Sequence, residues 1–162
     1  GLEPVYSVNG STDVTKWGYT PHKKEEIKGK ITQNIDANGY RLPTEEEWEY
    51  AARGGIHSLG YIFSGSDVPD EVLWSRETSD RTLHPVGILA PNELGLYDMS
   101  GNVKEWVLDN YASYSLNRKD TLLFAGNASL KVLRGGSCIS ARLVSPPSNI
   151  FLYTGFRLVC DL

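Results

Sequence analysis

A mixed α/β domain with few helices, short strands and long ordered loops is the fold class this sequence predicts, on three observations. One stretch carries a full set of helix signals, the apolar pieces elsewhere are short enough to read as strands, and turn residues punctuate the rest at close intervals. At 162 residues the chain is expected to form a single domain, 1–162, with material for its own core.

The elements follow in order. Gly1 to Asn34 is rich in turn residues and charge, with an alternating piece at Val5 to Val8, and reads as loop with edge strands. Asn38-Gly39 marks a turn, and Tyr40 to Pro43 is a short extended segment that the proline stops. A helix then begins at Thr44, whose hydroxyl suits an N-cap. Glu47 stands three residues on as the partner of a capping box, and Glu45 and Glu46 suit the positive end of the helix dipole. Trp48, Ala51 and Ala52 share one face, Arg53 falls in the last turn, and Gly54-Gly55 ends the helix. Glu45, Glu46, Glu47 and Glu49 diverge around the helix axis, so capping and solvation are expected of them rather than acid/base or metal chemistry.

From Ile56 to Asn92 the chain reads as extended and loop-dominated, with short apolar pieces at Val72-Leu73-Trp74 and Val86-Gly87-Ile88. GLYDMSGNVKEW, residues 95–106, is the second compact motif. Its oxygen-bearing Asp98, Asn102 and Glu105 surround a glycine turn. They fit either a hard cation such as calcium or a turn tied to local backbone amides with Trp106 in the core, and spacing favours the turn.

Near the C-terminus, Val132-Leu133-Arg134 and Phe156 to Val159 read as buried strands on either side of an insert, residues 138–154, with Gly135-Gly136 and Gly155 at the joins. The insert lacks Lys, Glu, Gln, Met and Trp. These types make up about 15% of the chain, so chance alone leaves them out of such a stretch only about 6% of the time. Pro146-Pro147-Ser148-Asn149 breaks the backbone before the bulky run Ile150-Phe151-Leu152-Tyr153, which fits a buried strand after a turn as well as an irregular, exposed segment.

Composition excludes several functions. Sixteen basic against twenty acidic side chains leave a net charge of −4, with the basic residues mostly scattered, which argues against a nucleic-acid surface. No apolar run approaches membrane-spanning length, and GLEPVYSVNG carries no signal-peptide pattern. His22, His57 and His84 are isolated from one another, and Cys138 and Cys160 have no metal-type or redox spacing.

With YRLPTEEEWEYAARGG, GLYDMSGNVKEW, VLRGGS and GFRLV present in that order, the chain resembles the formylglycine-generating enzyme (sulfatase-modifying factor) family. The resemblance implies a C-type lectin-like fold, with a small twisted antiparallel sheet, helices on its flank and long ordered loops. It also implies that part of the usual domain would precede Gly1. Enzymes of this family use copper and a pair of cysteines just beyond the RGGS block. Here Cys138 is the sole cysteine in that region, and residues such as Leu143 fill the next catalytic-type position, so enzymatic chemistry is not expected to carry over.

The resemblance is nearer to a non-enzymatic branch of the family, the variable proteins of diversity-generating retroelements. In these, adenine-directed mutagenesis of AAC or AAT codons varies a C-terminal patch and never yields Lys, Glu, Gln, Met or Trp. The reading is a ligand-binding display protein that presents Cys138, Ile139, Ser140, Arg142, Leu143, Pro147, Asn149, Ile150, Phe151, Leu152 and Tyr153 to a protein or other surface ligand. No cofactor is required by this reading. A calcium site is compatible with it, since the resemblance assigns that role to the Asp98 and Glu105 side chains and the Gly101 and Val103 carbonyls. Placement outside the cell or on its surface is expected, with any lipoprotein anchor lying outside this chain. The rival readings are a formylglycine-generating-enzyme-like oxidase, its catalytically inactive relative, and an envelope-protein domain without a ligand.

Overall fold

The computed structural model describes residues 1–19, 27–111, 130–136, 141–146 and 153–160. Their contacts divide into two compact units, Gly1–Arg41 with Leu158–Leu162, and Leu42–Arg157. In the first unit, β1 (Tyr6–Val8) pairs antiparallel with β2 (Ile31–Gln33), and the hydroxyls of Ser7 and Thr32 meet across the ladder at 2.7 Å. A 3-10 turn at Val14–Lys16 separates the strands, capped by the Asp13 carboxylate on the Thr15 amide. Arg41 and Val159 exchange both backbone hydrogen bonds, each at 2.9 Å.

The second unit is built on α1 (Glu45–Ala52), and the expected capping box is formed in full. Thr44 Oγ1 accepts the Glu47 amide at 3.1 Å, and the Glu47 carboxylate accepts the Thr44 amide at 2.7 Å. After a 3-10 turn at Gly55–His57 come α2 (Pro69–Val72), β3 (Leu73–Trp74), β4 (Ser100–Gly101), β5 (Lys104–Asn110), β6 (Lys131–Gly135), β7 (Arg142–Ser145) and β8 (Thr154–Phe156). The last four form one sheet in the order β7-β6-β5-β8, antiparallel except for the parallel β5–β8 pair. β3 and β4 pair in parallel beside it. Gly101, at φ 87, lies so close to the Trp74 carbonyl that a Cβ would collide with it. Few helices, short strands and long connections are as expected, and no helix among the described residues is long and apolar enough to cross a membrane.

The core lies where α1 meets one face of the sheet. Trp48, Ala52, Met99, Val107 and Val132 are buried there, with Ala51 and Leu96 packed against them. Two expectations are corrected by this geometry. Trp106 is only half-buried: the period of two along β5 sends Glu105 and Val107 into the core beside α1 and turns Trp106 to the other face, opposite Leu133. Glu45 is not a solvated cap residue. It lies one turn before Trp48 on the buried face and is 2% exposed, so its charge is met inside the protein.

Its partners are arginines from the sheet. Arg142 donates Nε to Glu45 Oε1 at 2.6 Å and Nη2 to Oε2 at 3.0 Å. Arg134 Nη1 lies 3.8 Å from Glu45 Oε1, and Arg134 Nη2 donates to Glu49 Oε2 at 2.8 Å. The same guanidinium sits 5.3 Å from the centre of the Trp48 ring, a cation–π contact. Helix, β6 and β7 are therefore joined by one buried charge network.

Candidate functional site

The site is assembled from the β6–β7 end of the sheet. At the end of β6 the backbone turns through Gly135 and Gly136, at φ 77 and φ 100, conformations that a side chain would strain. Arg134, just before them, also donates Nη1 to the Ala141 carbonyl at 3.3 Å, so the entry to β7 is held from beneath. On the far side, Tyr153 is fixed at both ends: its carbonyl accepts the Lys104 amide at 3.0 Å and its hydroxyl donates to the Arg81 carbonyl at 3.2 Å.

The loop that carries Arg81 is braced in turn by Asn102. The Asn102 amide donates to the Trp74 carbonyl at 3.0 Å, its Oδ1 accepts the His84 amide at 3.1 Å, and its Nδ2 donates to the His84 carbonyl at 3.0 Å. The Trp74 and His84 rings stack 3.7 Å apart. The turn of the GNVKEW motif thus ties to distant backbone, and not to the local amides expected from spacing.

These pieces enclose a cleft of about 780 Å³ within the second unit. Its walls are the Trp74–Thr82 loop, the Gly101–Lys104 turn, Gly135-Gly136, the start of β7 and Tyr153. Three residues of the expected ligand patch, Arg142, Leu143 and Tyr153, meet here, as do Gly101 and Val103 of the expected calcium set. Leu143 and Tyr153 are 36% and 47% exposed. Cys138, Ile139, Ser140, Pro147, Asn149, Ile150, Phe151 and Leu152 lie outside the described residues. Cys160 is a half-buried free thiol.

The insert is not one continuous surface, because β7 runs through it and Ser145 is 2% exposed. Arg142 also departs from the expectation of a displayed bidentate donor. In the β6–β7 register it stands beside Arg134, and its planar fork is taken by Glu45 while the guanidinium lies 4.9 Å from the Tyr111 ring. Sequence reasoning missed the Trp74–Thr82 wall, which contributes Trp74, Ser75, Arg76, Ser79, Arg81 and Thr82. The available signal was a tryptophan followed by two arginines in a polar, turn-forming run.

The expected calcium ligands do not fit a calcium ion as they stand. Glu105 Oε2 accepts from the Trp48 indole at 2.7 Å and from Arg157 Nε at 2.5 Å, while Oε1 accepts from Arg157 Nη2 at 2.6 Å. Arg157 Nη2 also reaches the Tyr97 carbonyl at 3.3 Å, and Asp98 Oδ2 accepts the Gly87 amide at 2.7 Å. A guanidinium therefore supplies the positive charge at this carboxylate, and calcium would have to displace it. Adding calcium or a chelator is expected to leave the melting temperature unchanged, and a rise with calcium that the chelator reverses would contradict this assignment.

The profile of the sulfatase-modifying factor enzyme 1-like domain matches residues 3–162. Among curated relatives, the chain is 42% identical over 125 residues to the chaperone protein LppX of Paenibacillus barcinonensis, covering 65% of this chain and 42% of LppX. It is 30% identical over 151 residues to the formylglycine-generating enzyme of Thermomonospora curvata, covering 76% of this chain and 50% of the enzyme. Among solved structures, Treponema denticola variable protein 1 superposes with a TM-score of 0.79 at 32% identity, covering 98% of this chain and 63% of that one. The chain spans about half the length of these curated relatives.

Proposed function

Because the chain belongs to the sulfatase-modifying factor enzyme 1-like family, we propose that it works as a non-enzymatic ligand-binding display protein, with a C-terminal segment varied by a retroelement on a fixed C-type lectin-like scaffold. One observation carries this reading. Leu143 and Tyr153 stand exposed on the walls of a cleft whose framework is held mainly by residues outside the insert, Glu45, Arg134, Asn102 and Lys104, with Arg142 as the insert's own fixed member. Side chains at the exposed positions change at little cost to such a framework. The likeness to a variable protein over nearly the whole chain supports the same reading. So does the name of LppX as a chaperone, a role that rests on holding another chain. Cell-surface placement is part of this proposal, since a displayed patch acts only where it meets foreign surfaces.

The second reading, an oxidase of the formylglycine-generating type, is favoured by the position of the cleft against Gly135-Gly136, just before Ser137-Cys138. The sequence opposes it, because the pair of thiols that the chemistry needs is reduced there to Cys138 alone. Incubation with copper and a cysteine-containing sulfatase peptide is expected to give no formylglycine. Turnover that disappears in Cys138→Ser would overturn the display reading. A near-identical template repeat beside the coding gene, differing from it only at adenines, would support diversification, and its absence would count against it.

A further inference from the structure

Resting on the display reading of this same cleft, we propose that it takes an acidic segment of a protein ligand. The described residues on its walls include Arg76, Arg81, Lys104 and Arg142 and no aspartate or glutamate, although the chain as a whole carries −4. Arg142 is neutralised by Glu45. Arg76, Arg81 and Lys104 make no ion pair with another described residue. Glu77 lies in the same loop, and its carboxyl is held below its ordinary pKa first by the Ser75 hydroxyl, with the Arg76 and Arg81 charges adding to the effect. It bonds to Ser75 at 2.9 Å instead of closing an ion pair with either arginine.

The cleft therefore gathers three cations that close no ion pair among the described residues, in a partly enclosed space where charge is screened less than on open surface. The chemistry beside them fits a peptide. Leu143, Val103 and Tyr153 offer apolar and aromatic contact, and a Cβ built at Gly136 meets no described residue within 4 Å. Carboxylates on Arg76 and Arg81, with a neighbouring apolar side chain against Leu143, satisfy both sets of groups. Four cations on one cleft, on an acidic chain whose other basic residues are mostly scattered, do not form the extended basic track that a nucleic acid requires.

The test pans a random dodecapeptide phage library on the immobilised chain in three forms: unaltered, Arg76→Gln/Arg81→Gln, and Leu143→Asp/Tyr153→Ala. Arg76 and Arg81 are exposed, so the charge variant is expected to keep the parent melting temperature. The expected result is a pool enriched in Asp and Glu over the naive library. Its synthesised members should bind the charge variant about tenfold more weakly and lose affinity as salt is raised.

A neutral or basic pool would overturn the acidic assignment, as would a pool unchanged by the charge variant. In either case, loss of the same peptides in the Leu143/Tyr153 variant would leave the display reading standing. No enrichment above the bare support would count against both. Tighter binding of a duplex or single-stranded oligonucleotide than of any selected peptide would assign the cleft to a different polyanion and overturn the proposal.

Discussion

Replacing Glu45 with alanine is expected to cost about 3 to 5 kcal/mol of stability, because it strips the countercharge from arginines that the fold has already desolvated. Arg134 is 1% exposed, and the Arg142 side chain, at 12%, has both arms of its fork on Glu45. Truncation takes from Arg142 the carboxylate on both arms of its fork and leaves Arg134 with Glu49, whose side chain is 33% exposed and is also shared with Arg53. Urea unfolding measures the loss directly. Glu45→Gln should recover part of it by keeping an acceptor for Arg142. A loss within about 0.5 kcal/mol for the alanine variant would mean that the network is dispensable and that β7 is held by its ladder alone.

A loss of similar size, about 3 to 5 kcal/mol, is expected from Trp48→Ala, for a different reason. This side chain is 1% exposed at the centre of the core, its indole is satisfied by Glu105, and the Arg134 guanidinium packs over its ring. Removal opens a cavity among Ala52, Met99, Val107 and Val132 and takes one of two donors from Oε2 of a buried carboxylate, which keeps Arg157. Trp106→Ala should cost clearly less, since Trp106 stands half-buried on the other face of β5. Equal losses in parallel urea titrations would show that both faces of the sheet are core.

The difference between these tryptophans shows how far the sequence could be read. α1 was legible because its signals are local: the Thr44–Glu47 capping box and the Trp48, Ala52 face are complete within one helix. The fate of Glu45 was not, since its partner Arg142 lies 97 residues away and no helix period announces a sheet arginine beneath a helix N-terminus. Trp106 was misplaced because the strand pattern fixes which residues alternate and leaves open which face meets the helix.

At the candidate site, the Gly135-Gly136 turn and the exposed Leu143 and Tyr153 were foreseeable from glycine chemistry and from the resemblance. The opposite wall was not. The Trp74–Thr82 loop has no periodicity, and its place is set by Asn102, which reaches it from elsewhere in the chain. Arg157 likewise reads as one letter of a strand motif, while its guanidinium sets the electrostatics of Glu105, 52 residues away.

The display account stands on one claim: the side chains assigned to the displayed patch vary freely while the frame does not. The most direct measurement is a library with Ile139, Leu143, Phe151 and Tyr153 randomised together, sorted for protease resistance and compared with a matched library randomised at Glu45, Trp48, Arg134 and Val132. The account predicts that most members of the first library resist protease like the parent and that few of the second do. Resistance in the first library confined to members that keep the parent residues would show that those side chains hold the fold together, and would contradict the claim.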